Sequence, residues 1–308
     1  MRDIVLVGLL SALPGTAALA DQVVVDTAQG EVTLAADPQS VAVYDMAALD
    51  TLAALGVTTT GTIDRILVPA LQDAAPDAAA VGTLFEPDLE ALAGLAPDLV
   101  IVGGRSSAQL QAVTQVAPAI DMTIGTDLVG DARARIDAYG KLFEREAEAA
   151  QLTATLDDKL AALRAAVDQD DTALVVMTNG PKMSTYGKGS RFGWIFETTG
   201  LAEAVPGLDD ANHGQAISHE FIAEADPDWL LVLDRTAAIG AEGQAAAETL
   251  KSDLVAGTTA WQQDQVIMLD PASTYISAGG FTSLTGSIDR LTQAFANASS
   301  SCCARCPP

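Results

Sequence analysis

The sequence predicts an α/β protein of two Rossmann-like lobes with mostly parallel sheets, joined by one long spine helix. Three observations carry that prediction. Short apolar runs alternate with helical segments along most of the 308 residues, which is the pattern of a parallel sheet covered by helices. Two stretches offset by 130 residues repeat one another, Glu90 to Arg105 and Glu220 to Arg235. Between the copies, Asp127 to about Val167 reads as one charged helix.

In each copy a glutamate stands seven residues before a Pro-Asp pair, Pro97-Asp98 or Pro227-Asp228, and an arginine stands eight residues after the proline. An apolar run bounded by Pro-Asp and a polar stop is a buried strand, and the segment before it has helical composition. A helix, strand and arginine unit therefore occurs twice, and the two lobes should be related by a pseudo-two-fold. The arginines would end equivalent strands and can face each other across a cleft.

Along the chain, Val23–Asp26 and Glu31–Leu34 flank Ala28-Gln29-Gly30 as an N-terminal hairpin. Val41–Asp45 is a strand leading into an Ala/Leu helix, Met46–Leu55, closed by Gly56, since glycine is the usual residue just past a helix end. Extended structure resumes over Val57–Ile63, and the first repeat follows. Ser106–Val116 is then a helix and Pro118–Thr123 a strand. The spine helix carries apolar residues at Ile136, Tyr139, Leu142, Phe143, Leu152, Leu156, Leu160 and Leu163, mostly three or four apart. No glycine or proline interrupts it after Gly140. The second lobe begins with the strand Thr172–Thr178 and continues through a Gly-rich loop and a helix near Trp194–Thr199. After the second repeat come a helix Ala245–Val255, a strand Gln265–Asp270 and a closing helix Thr282–Ala296.

The ends have a different character. Arg2, the apolar run Ile4–Leu13 and Ala18-Leu19-Ala20 make a secretory signal with cleavage after Ala20; a buried first strand or helix is the alternative. All three cysteines, Cys302, Cys303 and Cys306, fall in the last seven residues. C-C-x-x-C can bind a soft metal, but the Ser-rich lead-in and terminal Pro-Pro favour a disordered or extraneous tail. The expected divisions are a signal peptide at 1–20, an N-terminal lobe at 21–126, a bridging helix at 127–169, a C-terminal lobe at 170–298 and a tail at 299–308. No apolar run after the signal approaches the ~20 residues that span a bilayer.

A formal charge of −25 argues against nucleic acid or an anionic membrane surface as partner. It also makes the positives informative, because the chain has only 16 lysines and arginines. Arg105 and Arg235 end predicted strands, where ligands bind in open α/β sheets; a structural ion pair is the alternative. Arg191, in Tyr186-Gly-Lys-Gly-Ser-Arg191, is a candidate rim residue. His213 and Tyr275 lie in loop-like sequence, and imidazole and phenolate both ligate ferric ions; a lone exposed histidine such as His213 is usually just polar surface. Glu90 and Glu220 would sit on equivalent helices, suited either to docking on a two-fold partner or simply to solvation near a helix start. No G-x-S-x-G elbow, Walker loop or H-E-x-x-H is present, so no enzyme is expected.

The segments Val43–Val57, Gly82–Glu90, Tyr186–Trp194, His213–Gln215 and Phe221–Trp229 resemble the iron–siderophore substrate-binding proteins of ABC importers. Within these they are most similar to the group that binds catecholate-type siderophores such as petrobactin. The resemblance runs from about Val41 to Phe295 with the motifs in the family's order. It implies the class III periplasmic binding protein fold, with a shallow interlobe cleft and little domain closure. It implies that Arg105, Arg191 and Arg235 surround an anionic ferric siderophore, and that His213 and Tyr275 complete iron coordination when the siderophore is tetradentate. It also implies that Glu90 and Glu220 dock on the inner-membrane ABC permease dimer. No intrinsic cofactor is expected; the ligand is the Fe(III)–siderophore, and the protein would be a periplasmic monomer. Haem, cobalamin or a hydroxamate complex as cargo is the alternative within this fold, and a secreted metal-dependent enzyme using His213, His219 and Glu220 is a more distant one. The C-C-x-x-C tail departs from the family.

Overall fold

The computed structural model describes residues 21–208 and 213–305; the signal segment expected to end at Ala20, and Cys306, lie outside them. The hairpin opens the fold, with β1 (Gln22–Thr27) antiparallel to β2 (Gly30–Ala35). The first lobe follows as β3 (Val41–Val43), α1 (Met46–Ala54), β4 (Gly61–Thr62), β5 (Ala79–Ala80), α2 (Leu89–Leu95) and β6 (Leu99–Val102). A 3₁₀ turn, Gly104–Gln109, then runs into α3 (Leu110–Val113) and β7 (Ala119–Asp121). Its five strands lie in the order β5-β4-β3-β6-β7 and every pair is parallel. Both faces are covered, which is why β3 and β6 are buried at every position and read as continuous apolar runs.

The bridging segment differs from the single spine helix expected. It is two helices, α4 (Leu128–Leu142) and α5 (Glu146–Ala166), folded back as an antiparallel hairpin in which Arg133 pairs with Asp157. The break is a backbone cap. Glu144 adopts the left-handed region at φ 54°, and the Arg145 N–H donates to the Gly140 carbonyl at 2.7 Å, the longer bond of a Schellman-type ending. Glycine is the usual residue at such a position; a glutamate there gives no sequence warning. Gly140 also lets the helices close, since a Cβ there would lie 2.6 Å from that of Ala149.

The second lobe is β8 (Thr172–Asn179), β9 (Lys182–Tyr186), α6 (Trp194–Thr199), β10 (Ala202–Glu203), β11 (Gln215–Ile217), α7 (His219–Ala225) and β12 (Trp229–Asp234). Four short helices follow, α8 (Arg235–Ala238), α9 (Ala246–Thr249), α10 (Asp253–Ala256) and α11 (Thr259–Gln262). Then come β13 (Val266–Met268), α12 (Pro271–Tyr275) and α13 (Phe281–Arg305). The expected helix over Ala245–Val255 is thus split in two, and the last helix passes the expected lobe boundary at Ala298. The sheet order is β11-β9-β8-β12-β13 with β10 beside β8. It is mixed, because β9 runs antiparallel to both β8 and β11.

The repeated unit is real at atomic level. Helices α2 and α7 both end on a left-handed non-glycine residue, Ala96 at φ 48° and Asp226 at φ 37°. The aspartate of each Pro-Asp pair then clasps the head of the neighbouring strand. Asp98 accepts from the Gln39 and Ser40 N–H groups, at 3.0 and 2.8 Å. Asp228 accepts from the Thr172 N–H and hydroxyl, at 2.8 and 2.7 Å.

The lobes are tied together by a fully buried carboxylate. Asp50, on α1 of the first lobe, accepts from the N–H groups of Thr282 and Ser283, both at 2.8 Å, and so caps α13. Burial pushes its carboxyl up despite these hydrogen bonds from Ser283 and Thr282. Gly280 makes the approach possible, since a Cβ there would stand 2.6 Å from that of Asp50. Helix α13 packs on both α1 and α5, and its Phe295 meets Trp229 of β12 edge-on at 4.5 Å. Asp50→Ala removes the cap and leaves the Thr282 and Ser283 N–H groups unpaired, the second of them buried, so it should destabilise the fold by about 2–4 kcal/mol. Urea unfolding of the two proteins side by side reads that difference directly.

Candidate functional site

Both repeat arginines emerge at the carboxyl ends of their strands. Arg105 follows Gly103-Gly104 after β6, inside the 3₁₀ turn, and Arg235 is the first residue of α8, directly after β12. Asp234 caps that helix by accepting from the Ala237 N–H at 3.0 Å. Arg191 lies in the loop after β9, anchored by its buried neighbours Ser190 and Phe192.

All three guanidinium groups converge on Tyr275. Arg105 Nη2 donates to its carbonyl at 2.8 Å, and Arg191 Nη2 donates to the same oxygen at 3.2 Å. Arg235 Nε donates to the phenol oxygen at 2.9 Å while its Nη1 reaches Asn179 Oδ1 at 3.2 Å. The guanidinium carbons of Arg191, Arg105 and Arg235 lie 4.6, 4.8 and 5.7 Å from the ring centroid, within cation–π range. Tyr275 ends α12, a short helix capped by Asp270 with Pro271 at its first position, where the sequence suggested a loop.

No carboxylate among the described residues forms an ion pair with this cluster. Among the described residues, the ion pairs involve Arg133, Lys141, Lys159 and Lys251 and none of the three arginines. The consequence shows in both kinds of group. Arg191 is lowered by burial and by the charge of Arg105. Burial would raise the Tyr275 phenol, but the Arg235 hydrogen bond and charge, together with Arg191 and Arg105, bring it net below its ordinary value. Such a site favours an anion and makes the phenol easier to ionise than an ordinary tyrosine.

The cluster lies within an interlobe cavity of about 730 Å³. Arg105, Arg191, Arg235, Tyr275 and His213 all line it, so the five expected ligand-binding residues share one space. His213 is an exposed member of the wall. The sequence reading missed Lys182, Asn179 and Ser184, which line the wall from β8 and β9. The signal was present: Asn179-Gly180, with Gly180 at φ 57°, is a hairpin-turn dipeptide. Asp45 was also missed; it caps α1 and is the one acid lining the cavity among the described residues. Behind Arg105, the Gly104 N–H donates to the Thr123 hydroxyl at 2.9 Å, and Thr123 is held in turn by buried Asp121.

Glu90 and Glu220 stand elsewhere. Each is the second residue of its helix, α2 or α7, and exposed, and neither lines the cavity. The Ser218 hydroxyl holds the Glu220 carboxyl below its usual range.

Comparison with known proteins identifies relatives across nearly the whole chain. The sequence profile of the family described as periplasmic binding protein matches residues 41–273. The petrobactin-binding protein YclQ of Bacillus subtilis is 33% identical over 260 residues, covering 83% of this chain and 82% of that protein. Its crystal structure superposes with a TM-score of 0.84 at 30% identity, covering 89% of this chain and 99% of YclQ. The ferric-anguibactin-binding protein FatB of Vibrio anguillarum is 29% identical over 284 residues, covering 89% and 87% of the two chains. The structure of the periplasmic catecholate-siderophore binding protein VctP of Vibrio cholerae matches with a TM-score of 0.81 at 26% identity, covering 89% of this chain and 99% of VctP.

The geometry around Tyr275 has a direct spectroscopic consequence. Arg235→Ala removes both the hydrogen bond and the nearest opposing charge, so burial regains weight and the Tyr275 phenol should titrate at higher pH. Ultraviolet titration of phenolate formation, with Tyr275→Phe as the reference that assigns the signal, measures the shift. An unchanged titration would mean that Arg235 does not govern the phenol.

Proposed function

The chain belongs to the periplasmic binding protein family, which comprises binding proteins and not enzymes, and on that premise we propose that it captures a ferric catecholate-type siderophore in the interlobe cleft. It then delivers the complex to an inner-membrane ABC importer, working in the periplasm after removal of residues 1–20. One observation carries this reading: three arginines from both lobes, in no ion pair with a carboxylate among the described residues, meet in one cavity. The names of YclQ, FatB and VctP, which refer to petrobactin, ferric-anguibactin and catecholate siderophores, support the same class of cargo.

The chemistry is coherent. A ferric catecholate complex is an oxygen-rich anion with flat faces, and arginine offers a permanent charge and a planar fork of five donors. Each of the three arginines uses no more than two donors on Tyr275, Ile276 or Asn179, so most remain for a ligand. Each charge-assisted contact contributes roughly 1.5–3 kcal/mol. The formal charge of −25 repels such an anion at long range, so recognition has to be local to the cleft.

A tetradentate siderophore leaves two positions on iron open. Tyr275, drawn towards phenolate by its arginines, and His213 on the same wall are proposed to fill them. A hexadentate siderophore leaves none, and the two residues are then idle. Glu90 and Glu220, one at the start of the repeated helix in each lobe, are proposed to dock on basic side chains of the two-fold permease.

Titrating purified protein with ferric catecholates while following tryptophan fluorescence tests the central reading. Micromolar or tighter binding is expected, and its absence for every catecholate would sink the proposal. Arg105→Ala, Arg191→Ala and Arg235→Ala should each weaken binding about 10- to 100-fold. Tyr275→Phe and His213→Ala should weaken a tetradentate complex about tenfold or more while leaving a hexadentate one within about twofold. Glu90→Ala and Glu220→Ala should retain siderophore affinity and reduce stimulation of the permease ATPase in reconstituted vesicles.

A further inference from the structure

We propose that Asp45 is a second recognition point in the cleft, taking a hydrogen-bond donor, an amine or hydroxyl on the ligand's linker, and so discriminating among ferric siderophores. The proposal rests on the reading of the cleft as a siderophore site and names a feature of the cargo that the arginines cannot read.

Asp45 sits at the N-terminus of α1, where its Oδ1 accepts the Ala48 N–H at 2.8 Å. Capping does not require its charge, because asparagine and serine cap helices equally well. The carboxylate is nevertheless placed in the wall of a cavity whose other charged lining residues are Arg105, Lys182, Arg191 and Arg235. There it opposes the entry of an anion unless it meets a donor of its own. It forms no ion pair with any described residue, Arg105 included.

The backbone around it is kept clear. A Cβ on Gly103 would approach the Asp45 carboxyl carbon to 3.0 Å and Oδ2 to 3.2 Å, and one on Gly104 would lie 3.6 Å from Oδ2. Two consecutive glycines therefore let this turn run close beside the carboxylate without a side chain crowding it, next to Arg105. Burial pushes the Asp45 carboxyl up to about 6, against the lowering effects of the Ala48 N–H and the Arg105 charge. A positively charged or strongly donating group on the ligand relieves that strain; a bare anion increases it.

The cleft is thus polarised. The second lobe presents Lys182, Arg191 and Arg235, and the first presents Arg105 with a carboxylate beside it. A ligand complementary to this pattern carries its anionic catecholate–iron centre against the arginines and a donor on the arm that reaches Asp45.

Two ferric bis-catecholamide complexes test the idea, one with an all-methylene linker and one with a secondary amine in the linker. Both are titrated against the wild-type chain, Asp45→Asn and Asp45→Ser. Both substitutions keep a helix cap, and their thermal unfolding shows whether the fold survives; the second serves if the first does not fold. The expected result is a wild-type preference for the amine-bearing complex that falls about tenfold in the variants, as befits loss of one charge-assisted hydrogen bond. An equal change in both affinities would assign Asp45 to orienting Arg105 instead and overturn the proposal, as would no change in either. Failure of the wild-type chain to bind either complex would remove the siderophore reading itself, a result distinct from binding without discrimination.

Discussion

The carboxylate of Asp50 is the joint on which the molecule turns. It has no exposure to solvent, it belongs to one lobe, and it satisfies the otherwise unpaired N–H groups at the head of a helix from the other. An uncompensated carboxylate in that position is strongly unfavourable; so are unpaired N–H groups at a buried helix start. Each is tolerable only because the other is present, so the two lobes fix one another's spacing. The cleft inherits that spacing, because Arg105 comes from the first lobe and Arg191, Arg235 and Tyr275 from the second.

A fixed cleft matters because its contents repel. Three guanidinium groups surround one tyrosine, and among the described residues none of them forms an ion pair with a carboxylate, so their mutual repulsion has to be borne by the walls. The protein holds them by three means: backbone carbonyl acceptors, the face of an aromatic ring, and the rigid turns that follow β6 and β12. None of these neutralises charge. The cavity therefore keeps a positive potential inside a strongly acidic chain, and Tyr275 is both the scaffold of that potential and its most affected neighbour.

Much of this architecture was legible in the sequence, and for identifiable reasons. The repeated unit was readable because its determinants are local: a Pro-Asp pair, an apolar run and a polar stop occupy fixed positions. The same locality made the paired aspartates visible, though not what they clasp, since Ser40 and Thr172 lie more than fifty residues away. The break between α4 and α5 was invisible because it depends on Glu144 entering a conformation usually left to glycine. Tyr275 was recognisable as a candidate on chemical grounds, yet its place at the centre of the arginines is wholly tertiary. The hairpin that brings in Lys182 is announced by Asn179-Gly180, although the glycine-rich run after β8 has the composition of a loop. Asp45 looked like the end of a strand and is instead a helix cap facing the cavity.

The order of assembly follows from where the joint lies in the chain. Each repeat closes on a strand of its own lobe, through contacts that span 56 to 59 residues. The Asp50 contact is different, for it spans 232 and 233 residues, and the Arg105–Tyr275 bond spans 170. Such distant contacts come late, after the loops between them have been organised. The joining of Arg105 to Tyr275 across the cleft therefore belongs with the late contacts. Two well-formed lobes not yet joined through Asp50 would have sheets, cores and both repeats, and Arg105 would still stand apart from Tyr275.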